Sequence, residues 1–164
     1  MATIPYAELH ALSNFSFLRG ASHAQELIAR AADLGYSALA LTDECSLAGV
    51  VRAHVAAKEL NFKLIIGSEF LVSGEQPFKM VVLATNRDGY GNLSDFITRL
   101  RRSSEKGTYR LVRDGIEATA LRDCLILVIP DREASPVALL QLGQWMLRHF
   151  SGRCWLAVEL LHHL

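Results

Sequence analysis

The sequence predicts an α/β protein made of parallel βα units, and three features point there. Short apolar runs of strand length alternate with segments whose apolar residues recur at helical spacing. Serine and proline stand where the helices of such units would start. The 164 residues, 51% of them hydrophobic, hold no repeat and no low-complexity linker, which fits a single domain over 1–164 with one core.

The first strand is expected over 6–10. Ser22 then caps a helix, with Gln25 completing a capping box, Leu27, Ile28, Ala31 and Leu34 on one face, and Gly35 as the stop. A buried strand over 38–42 ends at Asp43. Ser46 caps a second helix in which Leu47, Val50, Val51, His54 and Val55 recur at helical spacing. Residues 63–66 and 70–72 have strand character and are separated by Gly67, Ser68 and Glu69. A turn over 73–77 leads into a buried strand over 80–84. Residues 88–102 form a helix with Leu93, Phe96, Ile97 and Leu100 on one face, followed by a polar loop over 103–108. A short helix near 115–121 precedes a strand over 125–129, which Pro130 and Asp131 stop. Ser135 caps the last helix, with Pro136 at its first position. The final strand, 154–161, is apolar enough to imply that the domain is truncated at its C-terminus and continues into more protein. Six strands and five helices suit either an open doubly wound sheet or an incomplete (β/α) barrel.

Composition removes several function classes. Seventeen basic and seventeen acidic residues cancel, so the chain lacks the net basic footprint of a dedicated nucleic-acid-binding domain. No apolar run approaches the roughly 18 residues that span a bilayer, so no membrane partner is expected. Residues 1–6 carry no basic segment leading into an apolar one, the mark of a secretory signal. Cys45, Cys124 and Cys154 are odd in number and without CxxC spacing, which argues against a disulfide framework or a zinc knuckle. A reduced, cytoplasmic protein is expected.

Folds of this kind place their chemistry at the C-terminal ends of parallel strands. His10, Asp43 and Glu69 stand there, after the first, second and third strands, and are ordinary ligands for a divalent metal. Asp43 alone would serve equally as a helix cap or turn acceptor. Cys45 has acidic neighbours, which raise a thiol pKa, so it is expected to be buried and inert. His54, among apolar residues, is expected in the core, and His23, His149, His162 and His163 show no ligand spacing. One charge asymmetry remains: Arg99, Arg101, Arg102, Lys106, Arg110 and Arg113. It suits a phosphate backbone or an acidic partner, or simply a solvated helix face.

Four segments carry a resemblance. LHALSNFSFLRG over 9–20 resembles the first motif of the PHP (polymerase and histidinol phosphatase) family, L-H-x-H-S-x-[FY]-S-x-L-D-G. ALALTDECSLAG over 38–49 is similar to the second, A-L-T-D-H-x-x-x-x-G, and IIGSEF over 65–70 to the third, G-x-E-[FV]. LATNRDGYGNL over 83–93 resembles a stretch of the alpha subunits of C-family DNA polymerases. The resemblance covers the chain in order, and the first two motifs look most like the error-prone branch of those polymerases. It implies a distorted, incomplete (β/α)7-type barrel with mostly parallel strands, whose metals activate water for attack on phosphorus. It also implies departures. Leu12 and Glu44 stand where the motifs have histidines, Lys79 holds the place of another, and Asp131 falls near an expected cysteine or histidine. His10, Asp43 and Glu69 survive as a residual metal site, with Glu44 as a substitute ligand. The expectation is therefore a noncatalytic structural domain, with no cofactor, or Zn or Mn if the residual site binds one. Its partners would be the rest of a polymerase chain, DNA through that chain, and other factors of translesion synthesis, repair and replication. The alternative is a metal-dependent phosphoesterase or 3′–5′ exonuclease. An unclosed barrel exposes a sheet edge, so a homodimer is a further expectation. Arg99, Arg101, Arg102 and Lys106 are the candidate nucleic-acid or partner contacts.

Overall fold

The run Ala38–Leu41 has no polar side chain, and in the computed structural model it is strand β2, buried at every residue. The structure describes residues 4–159. The chain divides between Glu69 and Phe70 into two units, and each is described by itself.

In the first unit β2 is flanked in parallel by β1 (Ala7–Ala11) and by the start of β3 (Leu64–Ser73), with Ala7 opposite Ala38 and Leu41 opposite Ile66. Helices α1 (Ala24–Asp33) and α2 (Val50–Glu59) make the crossovers. Ala24, Ile28 and Ala31 of α1 pack with Val50, Ala53 and Ala57 of α2 and with Leu39 and Leu41 of the sheet.

Several expectations need correction here. The cap of α1 is His23, whose amide donates to the Glu26 carboxylate at 2.7 Å, because the carbonyl of Ser22 is taken by the Asn14 amide. The helix does stop as expected: Gly35, at a φ of 72°, and Tyr36 donate to the carbonyls of Ala32 and Ala31. Helix α2 starts at Val50, not at Ser46, whose hydroxyl instead accepts from Ala48 and whose amide donates to Ser68. Its buried face is Val50, Ala53 and Ala57, while Val51 and Val55 are 71% and 51% exposed, and His54 is exposed too. Close packing of two helices selects the face with small residues, so two valines and His54 are left in solvent. The stretch 64–73 is one strand rather than two, since Glu69 donates its amide to Thr42 and accepts from Cys45, continuing the pairing through 67–69. Cys45 is buried, as expected.

In the second unit β4 (Phe78–Ala84) is buried on both faces and pairs with β6 (Cys124–Pro130), Phe78 opposite Pro130 and Ala84 opposite Cys124. That pairing is antiparallel, a departure from the expected run of parallel βα units. Apolar periodicity reports burial and carries nothing about strand direction. β6 pairs in parallel with β7 (Cys154–Leu156), and the end of β3 pairs in parallel with β5 (Leu111–Val112), a two-residue strand too short for any pattern. The expected final strand shortens to Cys154–Leu156, and residues 160–161, with His162 and His163, lie outside the described residues. Helix α3 (Arg87–Arg102) starts at Asn86, whose side chain accepts from Gly89 at 2.9 Å. Helix α4 (Pro136–Phe150) starts at Ser135, which accepts from Ala138, with Pro136 at the first position as expected. Two 3-10 turns, Arg113–Gly115 and Ala118–Leu121, replace the expected short helix. Phe70 meets Phe96 edge-on at 5.3 Å, and Trp145 packs on Phe78 and Phe150.

Arg153 ties this second core together. Its guanidinium donates to the carbonyls of Leu121 (2.6 Å), Ala118 (2.8 Å) and Cys124 (3.0 Å) and lies over the Phe150 ring. Arg153→Ala is expected to cost about 2–3 kcal/mol in urea unfolding, the scale of charge-assisted bonds left unmade. Arg153→Lys should recover less than half of that, because an ammonium cannot reproduce the planar fork.

Candidate functional site

The first unit carries the candidate site. His10 lies within β1, Asp43 follows β2, and Glu69 lies inside β3 rather than after a strand. The structure brings His10 and Glu69 together: Nε2 of His10 is 2.6 Å from Oε2 of Glu69. Asp43 is held elsewhere. Its Oδ1 accepts from the Ser13 amide (2.8 Å) and the Ser16 hydroxyl (2.7 Å), and its Oδ2 accepts from the Ser13 hydroxyl (2.7 Å).

The residue that organises the cluster is Arg19, which was absent from the expected ligand set. Its Nη1 donates to Oε1 of Glu69 and, at 2.8 Å, to Oε2 of Glu44, while Nη2 donates to Oε2 of Glu69 at 3.2 Å. The loop over 13–20 delivers it there. Ser16 donates its amide to the carbonyl of Ser13, and Arg19 and Gly20 both donate to the carbonyl of Ser16. Leu18 adopts a φ of 61°, a left-handed turn that favours glycine, and its side chain is left in solvent. Gly20 has no alternative, since a Cβ there would stand 2.0 Å from the Ser13 carbonyl oxygen. The signal for Arg19 was present in the sequence. It stands where the first motif has its aspartate, so a carboxylate is exchanged for a cation. Ser13 and Ser16, the two serines of the same motif, are likewise positioning residues, which a reading by ligand type does not single out.

Asp43 and Glu69 are each only 1% exposed, and Arg19 is about one-third exposed at 33%. Burial alone would raise the Glu69 carboxyl. Hydrogen bonds from His10 and Arg19, with the Arg19 charge, outweigh it and hold that carboxyl at about 2. With Glu69 ionised, the His10 ring nitrogen that faces it is a donor. Arg19 is raised above its ordinary value, chiefly by its bond to Glu69.

In this structure the carboxylates are engaged by donors of the protein itself. An ion bound by Glu69, Glu44 and His10 would need oxygens that the Arg19 guanidinium already engages, and both oxygens of Asp43 are committed to serine donors. Among the described residues no three His, Cys, Asp or Glu side chains are placed to hold a metal. Leu12 cannot ligate. Lys79 lies in β4 of the second unit opposite Ile129, and Asp131 accepts from the Glu133 amide as a turn residue. Arg99, Arg101 and Arg102 stand at the end of α3 and Lys106 in the loop beyond, all in the second unit.

One class of protein carries these motifs: the model of the PHP domain family matches residues 8–146, and the chain belongs to that family. Over 155 residues it is 58% identical to the error-prone DNA polymerase of Methylococcus capsulatus, a match covering 94% of this chain and 14% of that protein. It is 56% identical to the error-prone DNA polymerase of Dechloromonas aromatica, over 98% of this chain and 15% of that protein. The chain thus spans about 15% of the length of the curated relatives it matches. Among solved structures, a protein from Bifidobacterium adolescentis assigned as a metal-dependent phosphoesterase matches with a TM-score of 0.71. That match covers 94% of this chain and 77% of the other at 14% identity, a likeness of fold alone. The fold class is the expected one, the mixed α/β fold of the PHP family.

Acid titration tests the cluster. The folded pKa of Glu69 is depressed, so its stabilisation is complete above the ordinary carboxylate value of 4.5 and is lost as pH falls towards about 2. About 3 kcal/mol is at stake across that window. In Glu69→Gln, the difference in urea midpoint from wild type should shrink steadily as pH drops from 5 to 2. A difference that stays constant with pH would mean that Glu69 is not the titrating group.

Proposed function

We propose that this chain is a noncatalytic PHP domain of an error-prone DNA polymerase, in which an arginine does the electrostatic work of the family's metal. The parent enzyme would be a cytoplasmic nucleotidyltransferase that copies DNA during replication, repair and translesion synthesis. The domain's direct partner would be the remainder of that polymerase chain. The identity to error-prone polymerases along almost the whole chain supports the parentage. The single observation that carries the noncatalytic reading is the bridge from Arg19 to Glu44 and Glu69.

The chemistry supports it in two ways. A guanidinium neutralises the paired carboxylates as a cation would, but it has no open coordination position at which water could be activated. Leu12, at the place of a motif histidine, brings no atom that could bind a metal. What is left is a cross-link between the first strand's loop, β2's end and β3, which stiffens the fold without turning over a substrate.

Elemental analysis after dialysis against zinc and manganese, with phosphodiester hydrolysis assayed on the same samples, tests this. Less than one-tenth of an equivalent of metal and no hydrolysis above buffer are expected, on the order of a trace contaminant. Stoichiometric metal, with activity lost on His10→Ala or Asp43→Ala, would overturn the proposal and make the chain a phosphoesterase. Arg19→Ala supplies a second test. It should destabilise by about 2–3 kcal/mol, less than a fully buried pair because Arg19 is partly exposed. Millimolar manganese should return part of that loss in the variant and add nothing to wild type.

A further inference from the structure

Helix α4 differs from the other helices in what it shows to solvent. Exposed positions of α1, α2 and α3 carry charge, among them Arg30, Arg52, Lys58, Asp95 and Arg99. In its 15 residues α4 carries one fixed charge, Arg148 in the last turn. Its buried side is Ala138, Leu142, Trp145, Met146 and Phe150. On the other side Val137, Leu140 and Leu147 are each 64% exposed, and the exposed side chains between them are Gln141 and Gln144. A helix that is apolar all round is ordinarily a buried one, yet no described residue covers this face.

Val137, Leu140, Gln144 and Leu147 follow the alternating three- and four-residue spacing of a seam between paired helices, with Gln144 as the single polar member. Gly143 is an independent observation. It lies inside the helix, where glycine is less favourable than alanine, and its backbone takes no left-handed angle that would call for glycine. Nothing lies within 4 Å of where its Cβ would stand, so crowding within the chain does not require it either. Three residues after Leu140 and four before Leu147, it adjoins the seam, where a missing side chain lets a second helix come close.

We infer that the face of α4 bearing Val137, Leu140, Gly143 and Leu147 is an interface at which two copies of this chain pair, helix against helix and antiparallel. The seam is uncharged, so two identical faces meet on a two-fold axis without like-charge repulsion. Setting Leu140 opposite the other copy's Leu147 places Gly143 and Gln144 at the crossing. Antiparallel order also brings the basic last turn, with Arg148, towards the approach to the other copy's helix, where Asp131 and Glu133 outnumber Arg132. Parallel order would set Arg148 beside its own duplicate, and the helix dipoles favour the antiparallel choice as well. The sheet edge expected from the sequence offers less, since β7 is three residues long and edges so short resist pairing. One helix pair covers less than the roughly 800 Å² per partner of a standard interface, so the dimer is weak, half formed on the order of 100 µM. The inference does not rest on the polymerase reading, and either can fail without the other.

Sedimentation equilibrium of the 164-residue chain over roughly 5–500 µM, which brackets that midpoint, is the experiment. The average mass should rise from one chain towards two. Leu140→Glu/Leu147→Glu should stay monomeric throughout, with circular dichroism and melting in dilute solution unchanged, since both side chains already stand in water. Gly143→Gln separates pairing from folding: the monomer should melt higher because helix propensity improves, while the dimer weakens at least about tenfold. Gln144→Cys, near the two-fold axis, should cross-link two copies under oxidation beyond the background from half-buried Cys154, and Val137→Cys should not. Val51→Glu/Val55→Glu alters exposed apolar side chains of α2 in the first unit and should leave association unchanged. Four results would overturn the inference: a single-chain mass across the whole range, dimers that persist in Leu140→Glu/Leu147→Glu, equal loss in the α2 control, or loss on Trp155→Lys alone. The last would move the contact to the edge of β7. Cross-linking through Val137→Cys would overturn the antiparallel order.

Discussion

The first unit depends on one buried carboxylate and on how its charge is met. Glu69 sits inside β3 and almost out of water, where an ionised group without partners would cost several kcal/mol. His10 from β1 and Arg19 from the following loop both reach it, so two groups some fifty residues or more away in sequence converge on its two oxygens. Arg19 also carries Glu44, which extends the network to the segment after β2. The geometry of the loop over 13–20 follows from this demand. Leu18 holds an unfavourable backbone angle and Gly20 approaches the Ser13 carbonyl because that path brings the guanidinium inward. Local strain of this size, about 1–2 kcal/mol, persists only where the surroundings over-determine it.

Asp43 illustrates a second way to keep a buried carboxylate. Its charge is met by one amide and two hydroxyls, with no cation among them. The two serines that supply these bonds also order the loop, since the Ser13 hydroxyl accepts from the Phe15 amide and the Ser16 hydroxyl from that of Glu44. The motif residues therefore have a structural role that does not need an ion.

The second unit shows an arginine used differently. Arg153 meets three backbone carbonyls, Arg101 closes a loop and Arg113 covers aromatic rings. At Arg153 the planar fork is required, since two of its nitrogens meet three carbonyls, which a lysine does not reproduce. Counting charge along α3 and its loop could not separate these roles, because the division depends on which carbonyls and rings lie within reach.

Sequence by itself determined the α/β class, most of the elements, the caps at Gly35 and Ser135, the burial of Cys45 and the motifs that name the family. These are local: turn chemistry, hydrophobic period and short spacings are written in consecutive residues. Tertiary structure alone decided the antiparallel course of β4 and β6, the alanine face of α2, the exposure of His54 and the unbroken path of β3 through Glu69. Each of these is set by a neighbour distant in sequence, and a one-dimensional pattern holds no direction and no partner. The candidate site falls between the two. His10, Asp43, Glu69 and Glu44 were visible as residue types at strand ends or in motifs. That an arginine stands among them, and that Asp43 turns to serines, became evident only when charges far apart in the chain had to be matched in a space without water.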